Sequence, residues 1–176
     1  MEFREIKGNN ELVEMTRRYP KLSQKVLYRD SIISRKIVQA WDIEQDKEKV
    51  LSTFLKEHKN LSDERYWEIM RSVWVIAGSI ENVPLFRELM MSQRKEKYNF
   101  STPEEQKSLR ELPDSFEVYR ACNIPIQRAL SWTLSKEYAE WYKEKYNKDK
   151  VFQRTVKKTE VFALIERNKE SEIIIL

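Results

Sequence analysis

The spacing of apolar residues changes period at Pro113, and that change decides the fold class. Before it, apolar positions recur every three or four residues, the repeat of a helix with one buried face. After it, short runs alternate with period two, as half-buried strands do. Helices first and strands last describe an α+β chain, because a parallel βαβ sheet would interleave the two. The expectation is a helical region over 1–112 packing on a small mixed or antiparallel sheet over 113–176, the whole one compact unit.

Punctuation divides the first region. Helices are predicted from near Asn10 to Tyr19, from Leu22 to Trp41 and from Asp46 to His58. Ser62 reads as the cap of the most apolar helix, whose Trp67, Met70, Trp74 and Ala77 share a face and form core. Gly78 loosens or ends that helix. Pro84 suits the first turn of a helix running to about Lys97. Ser101-Thr102-Pro103-Glu104-Glu105 is a strong start signal, with a hydroxyl cap, an entering proline and acids at the positive helix end. Beyond Pro113, strands are predicted at Phe116–Arg120, Leu130–Leu134, Val151–Val156, Val161–Ile165 and Ile173–Leu176. A helix capped by Ser135 runs from Lys136 to about Tyr146.

Composition removes several function classes. The 176 residues include only two glycines, Gly8 and Gly78, so neither a Walker A loop nor a dinucleotide-binding G-x-G-x-x-G turn is present. One cysteine, Cys122, excludes an internal disulfide and a Cys-rich zinc site; one histidine, His58, excludes a His-pair metal site. No metal is expected. Basic and acidic residues number 21 and 19 in 1–112, and 12 and 10 in 113–176, so the positive charge is dispersed. A nucleic-acid binder concentrates it, and nucleic acid is not an expected partner. Met1–Asn10 is polar, which gives no signal peptide. The apolar stretch Trp67–Ile80 carries Glu68 and Arg71 and is too short for a bilayer. The expected location is the cytoplasm, with no membrane partner.

The residues with chemistry sit on the predicted strands. Arg120 closes the first. Ser131 and Thr133 alternate on the second and so point to one face, as do Glu170 and Glu172 before the last. An arginine can hold phosphate bidentately, a hydroxyl can orient a carboxylate, and a carboxylate can steady a developing cation. The same residues also read as structure. Arg120 could pair with Glu117 or Asp114, and the two glutamates could guard a hydrophobic edge strand.

In this order, Tyr119-Arg120, Ser131-Trp132-Thr133-Leu134 and Glu170-Ser171-Glu172 resemble the ADP-ribosyltransferase fold in its arginine–serine–glutamate branch. The likeness runs from Val118 to Leu176 and is nearest in flavour to small bacterial and phage proteins. It implies an NAD-dependent mono-ADP-ribosyltransferase acting on a target protein, in a host cytoplasm if phage-encoded, with arginine the first acceptor to test. NAD would be the co-substrate. Arg120 would hold an NAD phosphate, with Ser131, Trp132 and Thr133 lining the nucleotide site. Ser131 would position Glu172, Glu172 would stabilise the oxocarbenium-like state, and Glu170 would orient the acceptor. An NAD glycohydrolase, or an inactive relative that binds a partner protein, is the alternative. Where many relatives carry glycine, this chain has Ala121 and Leu130, and its loop Arg167-Asn168-Lys169 is short.

Overall fold

The computed structural model describes residues 9–78, 82–123, 129–167 and 170–176, with side chains from residue 12 onward. Gly8, Ile80, Asn168 and Lys169 therefore lie outside the described residues, as does most of Met1–Asn10. The helices are α1 (Asn9–Arg18), α2 (Gln24–Asp42), α3 (Lys47–Glu57), α4 (Asp63–Ala77), α5 (Val83–Met90), α6 (Pro103–Glu111) and α7 (Lys136–Lys145). The strands are β1 (Ser115–Cys122), β2 (Ser131–Thr133), β3 (Lys150–Lys157), β4 (Val161–Arg167) and β5 (Glu170–Ile175). The fold is α+β, with helices mainly N-terminal. Two compact units form: Met1–Gly78 with Arg94–Phe100, and Ser79–Gln93 with Ser101–Leu176.

In the first unit each of three helices starts on a side-chain cap. Ser23 accepts from the Val26 amide, Asp46 from Lys49 and Ser62 from Arg65. Leu27, Phe54 and Trp67 are fully buried, and Tyr66 meets Trp67 edge-on at 4.9 Å. His58 stacks on Phe54 at 5.5 Å. Burial first, then the charges of Arg94 and Lys59, lower its pKa, which marks a packed aromatic.

The helix expected to run to Lys97 stops at Met90. Beyond it, Arg94 is committed elsewhere. Its guanidinium donates to the Leu61 carbonyl at 2.9 Å, the His58 carbonyl at 3.0 Å and Asp63 at 2.9 Å, and lies over the Tyr66 ring at 4.6 Å. The Trp67 indole donates to the Lys95 carbonyl at 2.6 Å. Glu96, at φ 61, breaks any helical continuation. These bonds bind Arg94–Phe100 to the first unit.

The second unit holds one antiparallel sheet in the order β3-β1-β2-β5-β4. The last strand of the chain thus lies between β2 and β4. It begins at Glu170, earlier than the expected Ile173, because the β4–β5 hairpin pairs Arg167 with Glu170 and Glu166 with Ser171. One sheet face carries the core cluster Val118, Trp132, Val156, Leu164, Ile173 and Ile175, against which Leu109 and Leu112 pack.

A buried carboxylate ties helix α6 to the sheet. Glu105 accepts from its own cap, the Thr102 amide, at 2.7 Å, and Thr102 Oγ1 accepts from the Glu105 amide at 3.2 Å. This is the capping box that the sequence signals. The other Glu105 oxygen accepts from the Glu166 amide on β4 at 2.9 Å. Both amides lose their charged partner in Glu105→Ala. A urea melt should show a loss of about 3 kcal/mol, with Glu105→Gln intermediate. An unchanged midpoint in the alanine variant would contradict this role.

Candidate functional site

Strand pairing fixes which candidate residues meet. Tyr119 lies opposite Thr133, Thr133 opposite Glu172 and Glu172 opposite Ile165. Directly opposed residues of antiparallel strands project to one face. Ser131, Thr133, Glu170 and Glu172 therefore share the face opposite the Trp132 core cluster. The cross-strand neighbour of Glu172 is Thr133; Ser131 is paired with Ile174.

Arg120 starts on the other face. Strand β1 pairs with β3 without a bulge from Ser115 to Cys122, so Arg120 alternates with Tyr119 and follows Val118. Its guanidinium donates to the main-chain carbonyl of Ser131, in the sheet plane. The two acids that could have held it are engaged elsewhere. Glu117 accepts from Tyr119 at 2.8 Å and from Gln153, and Asp114 is 3.8 Å from Lys158.

Trp132 belongs to the core, 3% exposed, with the Arg154 guanidinium over its ring at 4.9 Å. Its indole N–H is buried without a hydrogen-bond partner. Ala121, Cys122 and Leu130 are buried as well. Thr133 is 5% exposed, and its hydroxyl accepts from the Ser135 amide at 3.1 Å, which turns the chain into α7.

Two residues that sequence reasoning left out complete the cluster. Arg167, at the end of β4, places Nη2 3.1 Å from Glu172 Oε2. Its Nε lies 3.5 Å from Glu170 Oε2, an ion-pair distance that makes no hydrogen bond. Tyr138, on α7, donates to Glu170 Oε2 at 3.1 Å. The signal for Arg167 was its place three residues before Glu170, visible only once the hairpin register is known. Tyr138 read as an apolar helix position, and its hydroxyl was not weighed.

Burial and the neighbouring Glu172 carboxylate raise the Glu170 pKa; Arg167 and the Tyr138 hydrogen bond pull it back. Burial and the Glu170 carboxylate push Tyr138 up to about 12. Among the described residues, no group of three or more His, Cys, Asp or Glu side chains could hold a metal ion. No described helix is long and apolar enough to cross a membrane. A groove of about 510 Å³ lies on the first unit, lined by Lys25, Tyr28, Arg29, Ile32, Lys36 and Glu57 among others. It holds none of the candidate residues.

The chain matches no family model, no curated protein and no solved structure.

A raised acid pKa means that the folded state binds the Glu170 proton more tightly than the unfolded chain. Its contribution to stability is therefore present below the ordinary value of 4.5 and is lost as pH rises through the raised folded value. Glu170→Gln should remove that slope and leave the variant the more stable of the two at neutral pH. Urea midpoints between about pH 4 and 7 decide the point; parallel curves for the two proteins would rule it out.

Proposed function

We propose that the chain is an NAD-dependent mono-ADP-ribosyltransferase-like enzyme, with an ADP-ribosyltransferase-type sheet, that modifies a protein side chain, arginine first. One observation carries the reading. Strands β1, β2 and β5, which bear the three motifs that resemble that family, are adjacent in the sheet although β5 comes last in the chain. The adjacency sets both glutamates beside the hydroxyl pair on a single face.

The residues fit the reaction unevenly. The carboxylate side fits well. Glu172 is a buried carboxylate in a water-poor setting, where a negative charge steadies a developing cation more strongly than it would in water. Thr133, directly opposite, stands where a positioning hydroxyl is needed, so this reading shifts that role from Ser131 to Thr133. Glu170 is less buried and lies at the strand start, suited to orient an acceptor. On the phosphate side Arg120 leaves the opposite face, yet a guanidinium has five N–H donors and only one is used on the Ser131 carbonyl. Bound NAD would supply the electrophilic ribose carbon and the nicotinamide leaving group. The protein supplies anchoring at Arg120, negative charge at Glu172 and acceptor alignment at Glu170.

A second reading is favoured by the 2% exposure of Glu172 and the starting face of Arg120. In it the unit binds a partner protein and does not turn over NAD.

Labelled NAD incubated with pure protein and a bacterial lysate separates the two. Protein-bound label is expected, falling about a hundredfold or more in Glu172→Gln, with thermal unfolding checking that the variant is folded. Nicotinamide release without protein label would indicate a glycohydrolase. No release and no NAD binding by the folded wild type would favour the binding protein. Equal labelling by the variant would sink the role given to Glu172.

A further inference from the structure

The sheet has two edges, β3 and β4, and they differ. The β4 edge is occupied. Its Glu166 amide donates to Glu105 at 2.9 Å, its Leu164 carbonyl accepts from Ser101 Oγ at 3.0 Å, and a register shift between Val161 and Ala163 interrupts its pairing. The β3 edge is open. Its eight residues pair with β1 without a shift and include no proline. The Lys158 amide donates to the Asp114 carbonyl at 2.8 Å, which sets the phase of this ladder. Bonded pairs alternate along antiparallel strands, so Phe152, Arg154 and Val156 bond to β1, while Val151, Gln153, Thr155 and Lys157 turn N–H and C=O outward. Glu160 accepts from the Lys157 amide at 2.7 Å. Among the described residues, nothing bonds the main-chain groups of Val151, Gln153 and Thr155.

Such an edge takes an added strand, with main-chain bonds giving affinity and flanking side chains giving selectivity. The side chains specify the occupant. Strand β3 carries Lys150, Arg154 and Lys157, all exposed, and no acid. Lys150 Nζ lies over the Phe152 ring at 4.5 Å and the Arg154 guanidinium over the Trp132 ring at 4.9 Å. A cation over a ring keeps N–H donors for a carboxylate. A second copy of β3 would bring three cations from each strand together with no acid on either, which opposes self-pairing. We propose that the β3 edge binds an extended acidic segment of a partner protein as an added strand of the sheet. Lys150, Phe152 and Arg154 share one face, so the added strand carries acids at i and i+4 and an apolar residue at i+2, in either direction. This surface uses neither the glutamate pair nor NAD, and it stands or falls independently of the reaction proposed above.

The probe is the capped peptide acetyl-Thr-Glu-Thr-Val-Val-Glu-Thr-amide, and the readout is amide hydrogen exchange of the full chain by NMR. At saturation the amides of Val151, Gln153 and Thr155 should exchange more slowly by about tenfold or more, whereas those of Phe152, Arg154 and Val156, already bonded to β1, should be unchanged. Replacing both peptide glutamates by lysine should abolish the protection. Lys150→Glu should weaken binding about fivefold. Thr155→Pro removes an outward N–H where an edge strand tolerates proline, and should weaken binding further. Thermal unfolding checks that it folds; where it does not, Lys150→Glu and the lysine peptide decide. Protection by the lysine peptide, equal binding by Lys150→Glu, uniform slowing of both sets of amides, or no protection in the wild type would each overturn the proposal. Slowing of the same amides with rising protein concentration and no peptide would make a second copy the occupant, and would overturn it as well.

Discussion

The pairing of β2 with β5 is the constraint on which the second unit depends. Strand β2 has three residues, and its register with β1 is the single pair Tyr119 and Thr133. All three residues pair with β5. The bonding continues beyond the strand ends, with Leu134 donating to the Ser171 carbonyl at 3.0 Å and Ile175 to the Leu130 carbonyl at 2.9 Å. Without β5, the β1–β3 pair would be joined to β2 through that single register pair alone. The driving force lies in the last residues of the strand. Ile173 and Ile174 are fully buried and Ile175 nearly so, each worth about 2 kcal/mol. That total is large enough to carry Glu172 into the interior, provided the carboxylate keeps a cation. Arg167 supplies it from the neighbouring strand.

This dependence explains which parts of the molecule were legible in the sequence. Local signals were sound. The caps at Ser62, Thr102 and Ser135 each accept the expected amide, and α4 ends at Gly78, where an added Cβ would meet the Trp74 carbonyl. The strands of the described residues fall where short strand-like runs placed them, and period-two alternation put Ser131 with Thr133, and Glu170 with Glu172, on common faces. Long-range choices were not legible. The polar run Glu170-Ser171-Glu172 does not say where the strand begins or which strands flank it; Arg167 opposite Glu170 and Thr133 opposite Glu172 settle that. Reading the glutamates as guards of an edge strand failed for the same reason: β5 is internal, and β4 forms the edge. The extra turns given to α5 failed because Arg94 bonds carbonyl and carboxylate groups of α4 and the turn before it. No propensity encodes that.

Arg120 shows why a motif in the right order is weaker than a motif in the right register. On a strand, one position changes the face. The β1–β2 pairing puts Tyr119, not Arg120, in the row with Thr133 and Glu172, and the guanidinium recovers proximity only by reaching the Ser131 carbonyl. A long side chain can cross the strand plane in this way; a serine cannot. The hydroxyl and carboxylate positions therefore discriminate between registers more sharply than the arginine does, and of those Thr133 and Glu172 are the pair that the sheet opposes.

Burial and chemistry pull Glu172 in opposite directions, and the resolution lies in its partner. An open carboxylate at the end of an isoleucine strand would be hydrated and weak as an electrostatic catalyst. A sealed one without a cation would cost several kcal/mol. Glu172 is sealed, and the Arg167 guanidinium, on a side chain 34% exposed at a strand end, lies 3.1 Å from it. Tyr138, on α7, holds Glu170 from the side, and Arg167 reaches both carboxylates from the neighbouring strand.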